Sequence, residues 1–413
     1  MKKHAIWLLF LFSFASCAHS QENKLIEKLL KSRKDLFGTV MAKPAKFEVQ
    51  IIYTQIDRNE KNEPIFSEYT YRADKNQYFY PASTVKFPTA LLALEKLNEL
   101  NIEGLNKYSR MQTDSGYTQQ TRVLYDSSAA DFNPSIAHYI KKLLIVSDND
   151  AYNRLYEFVG QKYLNEQLYK KGYNDLRLIH RLSVGDAGER AKYTNPITFY
   201  EDKKVVYHQP LAYSDKTYTF KLKNELKGKG FYQQEKLVNK PMNFSDKNYI
   251  SLDNLHQILK AVIFPDFVPE KQRFNLTPDD YKLLYKSMCI LPKESDFPNY
   301  KSDTTITDNF VKFLMYADTK KITNTNVRIF NKIGLAYGYL IDNAYIVDFK
   351  NQIEFMLSAV IYVNEDQIFN DDKYEYDTIG FPFLANLGRV IYDYELKRER
   401  KVKPNLDQYK VSD

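Results

Sequence analysis

The apolar run Phe87-Pro88-Thr89-Ala90-Leu91-Leu92-Ala93-Leu94-Glu95-Lys96-Leu97 is headed by the quartet Ser83-Thr84-Val85-Lys86. On a helix, positions i and i+3 share a face about one turn apart. A lysine amine placed there can take the proton of the serine hydroxyl, so the quartet is a candidate nucleophile carrying its own base. Taken alone, it also reads as a helix start with Ser83 as the N-cap, a common use of serine. Pro88 lacks a backbone N–H, so a helix beginning at Ser83 is expected to have an irregular first turn.

The order of elements around this helix constrains the fold. Leu25, Ile26, Leu29, Leu30 and Leu36 give a helical stripe over Glu22–Leu36. Phe47–Tyr53 and Ile65–Tyr71 read as strands joined by the polar turn Asp57–Glu63. Residues 100–135 are polar and irregular, and helical patterns follow over Ile136–Val146 and Asp150–Val159. Leu182–Asn195 is a polar loop, and residues 200–250 are rich in Tyr and Lys with little periodicity. Leu252–Val262 is helical, and Thr277-Pro278-Asp279-Asp280 opens another helix, with proline at its first position, that continues over Leu283–Leu291. Val327–Phe330, Ala344–Phe349 and Ile353–Val363 return to strand character, and Phe381–Leu396 closes the chain as an amphipathic helix. This order predicts an α+β fold. The N- and C-terminal segments form one antiparallel sheet flanked by helices, and a helical lobe is inserted between them.

The 413 residues, 44% of them hydrophobic, suffice for a sizeable core in one large domain or two smaller ones. The net charge of +7 is spread among interspersed acids and bases, which gives no nucleic-acid footprint. The densest basic run, Lys397–Lys403, reads as a solvated helix end. The first 20 residues read as an export signal: Lys2 and Lys3, then the short apolar stretch Ala5–Phe14. Phe14-Ala15-Ser16-Cys17 resembles a lipoprotein box that would tether the protein to a membrane through Cys17, while Ala18-His19-Ser20 fits an ordinary cleavage site. Either processing leaves residues 21–413 outside the cytoplasm, in the periplasm or outer cell envelope. No structural disulfide is expected, because Cys289 is then left without a partner and reads as a buried small hydrophobe. The few histidines show no paired ligand spacing, so neither a metal nor another cofactor is expected.

Two further segments complete a pattern. Ser147-Asp148-Asn149 lies between helical stretches, and Lys332-Ile333-Gly334 stands at the start of the last strand group. Ser-x-x-Lys, Ser-Asp-Asn and Lys-Thr-Gly are the three motifs of the penicilloyl serine transferases. In these residues and their order the chain resembles the class A beta-lactamase-like serine hydrolases. The resemblance implies a beta-lactam or peptidoglycan-like peptide substrate and an acyl-Ser83 intermediate. It implies Lys86 as base, Ser147 as proton donor to the leaving nitrogen, and Lys332 as the group that tunes Ser147 and attracts a substrate carboxylate. Asn149 would bind the substrate amide, Gly334 would belong to the substrate-binding strand, and the backbone N–H groups of Ser83 and Leu335 would form the oxyanion hole. Asp148 would be structural.

The chain departs from that pattern at three places. The glutamate that activates the deacylating water belongs near Leu182-Ser183-Val184, where no carboxylate stands; Asp186 and Glu189 are the nearest acids. Ile333 replaces the usual Thr or Ser and cannot donate a hydrogen bond. The stretch from Ser147 to Lys332 carries a surplus near residues 200–300. General-base help contributes about 10²–10⁴-fold to such a step. The expectation is therefore a site that acylates and deacylates poorly. The alternative is an envelope protein that binds peptidoglycan, a beta-lactam or a partner without turnover.

Overall fold

Both ends of the chain contribute strands to one sheet. The computed structural model describes residues 24–117, 121–185 and 188–410; the predicted export segment 1–20 with Cys17, and Asp186, lie outside them. The five strands are β1 (Gln50–Arg58), β2 (Pro64–Tyr71), β3 (Val327–Ala336), β4 (Tyr339–Asp348) and β5 (Ile353–Tyr362). They lie in the order β3-β4-β5-β1-β2, with every neighbouring pair antiparallel. β4 and β5 are buried along almost their whole length, so they read as continuous apolar runs rather than as alternating ones.

Side chains alternate between the two faces of the sheet. Ile52, Ile341, Tyr345, Met356 and Val360 join the core that the sheet shares with the helical lobe. Ile51, Leu340, Ile346, Phe355 and Leu357 join a second core under the terminal helices. Those helices are α1 (Lys24–Ser32), α2 (Lys34–Ala42) and, at the far end of the chain, α9 (Phe381–Lys397). The lobe contains α3 (Lys86–Leu100), α4 (Ile136–Ile145), α5 (Asn149–Val159), α6 (Gln161–Lys170), α7 (Leu252–Ile263) and α8 (Pro278–Cys289). Thr277 caps α8 through a reciprocal pair of hydrogen bonds with Asp280, and Pro278 takes the first helical position as the sequence predicts.

Three expectations need correction. The single N-terminal stripe is two helices, broken at Arg33, where the Ser32 hydroxyl donates to the Leu29 carbonyl. The first strand begins at Gln50, because Glu48 has a left-handed φ of +43° and turns the chain before it. Gln161–Lys170, absent from the sequence reading, is helical directly after Gly160. The Tyr-rich stretch folds into short strand pairs, among them 230–233 with 236–238. Its Phe244 packs against Tyr80, Tyr337 and Phe369, beside the turn that carries Ser83.

Candidate active site

Ser83 lies not in the α-helix but in a 3-10 turn, Ala82–Val85, that feeds directly into α3. A 3-10 turn eclipses positions i and i+3, so Ser83 and Lys86 keep a common face. This start also resolves Pro88. It is the third residue of α3, in the first turn, where backbone N–H groups lack helical partners in any case. The preceding Ala82 is held at φ +48°, a conformation that costs a non-glycine residue about 1–3 kcal/mol.

α3 is buried along nearly all of its length, and Lys86 goes down with it. Its Nζ donates to the Ser147 carbonyl at 2.5 Å and to Asn149 Oδ1 at 2.6 Å, with Ser147 Oγ at 3.3 Å. Burial pushes the Lys86 amine down to about 7, against a smaller opposing pull from the Asp148 carboxylate. Among the described residues no hydrogen bond joins Lys86 to the Ser83 hydroxyl. A neutral amine keeps one lone pair free of its two N–H bonds, and that lone pair is what a base needs.

Ser147 sits between α4 and α5 with φ +58°, again left-handed. Asp148 caps α5 by accepting from the Ala151 N–H at 2.7 Å, the structural part expected of it. Asn149 opens the helix; its Oδ1 faces Lys86, and its Nδ2 donates to Ser183 Oγ at 2.8 Å.

Lys332 arrives from the edge strand β3. Its Nζ donates to Ser147 Oγ at 2.8 Å and to the Ile333 carbonyl at 2.9 Å, and only 2% of the residue is exposed. Burial, and next the charge of Lys86, hold this amine well below the ordinary lysine range. One hydroxyl therefore stands between two desolvated amines. It can accept from Lys332 while donating to the lone pair of Lys86, which makes a continuous path for a proton. Gly334 explains how the strand comes so near: a Cβ there would stand 2.6 Å from the Pro81 carbonyl oxygen and 3.1 Å from Thr84 Cγ2. Ser83, Ser147, Ile333 and Leu335 line one cavity of about 680 Å³.

The loop after α6 is pinned before it reaches the site. Arg181 pairs with Glu157 at 2.7 Å, Asn153 exchanges two hydrogen bonds with the Leu182 backbone, and Asn248 accepts from the N–H groups of Ile179 and His180. Among the described residues of this loop, the Ser183 hydroxyl reaches the centre, on Asn149. Glu189, one of the two nearby acids, turns away: its exposed carboxylate accepts from Tyr213 Oη at 2.7 Å and lies 3.3 Å from Lys192 Nζ.

Sequence reasoning missed the far wall of the cavity. Residues 307–320 carry no helix or strand, yet Phe310 and Phe313 line the same cavity as Ser83. The Asp342 carboxylate accepts from the N–H groups of Phe313 and Leu314 and from Asn331 Nδ2. Lys312 donates to Asn331 Oδ1, Met288 O and Ile329 O. A buried cation and anion on opposite sides of one asparagine thus fasten the wall to β3, and the only signal in the sequence is a charged residue inside each apolar run.

The profile of the beta-lactamase enzyme family matches residues 32–276, more than half of the chain. The chain belongs to that family. The match takes in Ser83, Lys86, Ser147 and Asn149, while Lys332 lies beyond it and joins through the sheet. Among solved structures the chain is similar to a beta-lactamase from Xanthomonas campestris pv. campestris, with 13% identity, a TM-score of 0.49, and coverage of 89% of this chain and 98% of that one. It is similar also to a beta-lactamase from Desulfarculus baarsii, with 12% identity, a TM-score of 0.47, and coverage of 91% and 98%. PBP-A gives 13% identity, a TM-score of 0.45, and coverage of 90% and 96%. Among curated proteins no sequence matches the chain.

Proposed function

We propose that this beta-lactamase family member is an exported serine acyl-transfer enzyme that forms a long-lived acyl-Ser83 intermediate with an amide or ester, of which a beta-lactam and a cell-wall peptide are the leading forms. The observation that carries this reading is the Ser147 hydroxyl shared by the amines of Lys86 and Lys332 beside Ser83. Neutral Lys86 takes the Ser83 proton as Oγ bonds to the substrate carbonyl carbon. The tetrahedral oxyanion is held by the backbone N–H groups of Ser83 and Leu335, each such donor worth about 3–4 kcal/mol. The bond to the leaving atom then breaks as that atom takes the Ser147 proton, and Ser147 recovers a proton from Lys86. Among the described residues deacylation has no such help, because Ser183 stands toward the centre where a carboxylate would activate water. Export, and a tether at Cys17, rest on the N-terminal sequence alone.

Intact-mass spectrometry after incubation with benzylpenicillin, and separately with a fluorophosphonate, tests this. The expected result is a single adduct on the wild type that persists for many minutes, and none on Ser83→Ala. Absence of an adduct from both probes overturns the reading, and an adduct that survives in Ser83→Ala moves the nucleophile elsewhere.

A further inference from the structure

We infer that the cavity beside Ser147 favours an uncharged, apolar leaving group, and that a carboxylate there, as in benzylpenicillin, slows acylation without preventing it; the inference rests on Ser83 being the nucleophile. Phe310, Phe313, Ala317, Ile333, Leu335 and Phe381 line this space together with Ser83 and Ser147. Phe310 is 41% exposed and Leu335 38%, so large apolar surface stands open at the mouth. Because Ser147 is the donor to the departing atom, whatever fills the space is the leaving portion of the substrate and not its acyl portion.

The polar atoms of the wall are already engaged. Thr307 Oγ1 donates to Asn309 Oδ1 at 2.7 Å, and Asn309 Nδ2 donates to the Ala317 carbonyl at 2.8 Å. The Asp318 carboxylate is paired with the Arg389 guanidinium. Ile333 brings methyl groups where a hydroxyl would hold a carboxylate. Lys332 is buried behind the lining, and its amine already donates to Ser147 Oγ and to the Ile333 carbonyl. Lys320 reaches the lining from an exposed position, where solvent and salt screen its charge. Asp377, also exposed at the lining, repels an anion.

Aryl acetates isolate the leaving group, because every member deposits the same acetyl group on Ser83. Ser83 Oγ bonds to the acetyl carbon as Lys86 takes the serine proton, the carbon–aryloxide bond breaks, the aryloxide leaves with the Ser147 proton, and Lys86 returns its proton to Ser147. Phenyl acetate, 2-naphthyl acetate and 4-acetoxybenzoate are compared by the second-order rate of Ser83 acetylation, read by intact mass and divided by each ester's rate with hydroxide. Each buried carbon is worth up to about fourfold. The naphthyl ester is therefore expected to exceed phenyl acetate by about tenfold or more, and 4-acetoxybenzoate to fall below it. Phe310→Ser is expected to reduce the naphthyl-to-phenyl ratio severalfold, and Ile333→Thr to raise the 4-acetoxybenzoate-to-phenyl ratio. Equal rates for naphthyl and phenyl esters, or a carboxylate ester as fast as phenyl acetate, overturn the apolar assignment and leave the nucleophile standing. Absence of label from all three esters and from the penicillin and fluorophosphonate probes overturns the nucleophile, and this inference with it.

Discussion

The pH dependence of Ser83 acylation follows directly from the burial of Lys86. Its amine is pushed to about 7 because Nζ is removed from water, with the Asp148 carboxylate pulling weakly the other way. Only the neutral amine can take the serine proton, so the rate rises with pH and levels off above about 7. At pH 5.5 about 3% of the amine is neutral and at pH 8 about 90%, a difference of about thirtyfold. The assay is the second-order rate of adduct formation with a fluorophosphonate between pH 5 and 9, followed by intact mass. Asp148→Asn removes the charge and keeps a good N-cap, so α5 is expected to survive it. Without the carboxylate the protonated amine is less favoured, and the midpoint moves to lower pH. A flat profile, a midpoint above 9, or a shift of the Asp148→Asn midpoint to higher pH refutes Lys86 as the base.

Gly334→Ala is expected to slow acylation at least tenfold and to destabilise by about 1–3 kcal/mol, because the new Cβ meets the Pro81 carbonyl oxygen 2.6 Å away; adduct kinetics and thermal unfolding check it. His256 is buried between Thr54 Oγ1 at 2.8 Å and Ser358 Oγ at 2.7 Å, and burial lowers it to about 3. Its unfolded form binds a proton below about pH 6.5 that the folded form refuses until about pH 3, so stability falls as pH drops through that window, by as much as about 5 kcal/mol. His256→Gln is expected to flatten that part of the acid denaturation curve. Lys312→Met leaves Met288 O, Ile329 O and Asn331 Oδ1 without their donor and is expected to cost about 3 kcal/mol in urea unfolding, with loss of the 307–320 wall seen as faster proteolysis there.

The strands of the terminal sheet and the lobe helices α4, α5, α7 and α8 were legible because each is written locally, whereas the meeting of Ser83, Lys86, Ser147 and Lys332 was expected from the resemblance of three short motifs to a known family. Strand runs, apolar helical stripes and a proline at the first position of a helix need no knowledge of distant residues. What escaped is set by tertiary context. The left-handed φ at Glu48, Ala82 and Ser147 is imposed by neighbours, and residue type does not announce it. The wall at 307–320 has no periodicity because its backbone is fastened by Asp342 and Asn331 rather than by a ladder. Ile333 was visible as a departure, but its meaning needed the phenylalanines that line the same cavity.

The bonds to Ser147 span very different lengths of chain: 61 positions to Lys86 and 185 to Lys332. The first contact can form once the lobe's opening helices have met, whereas the second must wait for an edge strand near the end of the chain to close a far longer loop, a step that topology makes slow. A chain still short of β3 therefore carries Ser83 without its complete surroundings. Full reactivity toward an acylating probe then becomes a clock for the last stage of folding, and a refolding experiment sampled with such a probe would time the docking of one strand.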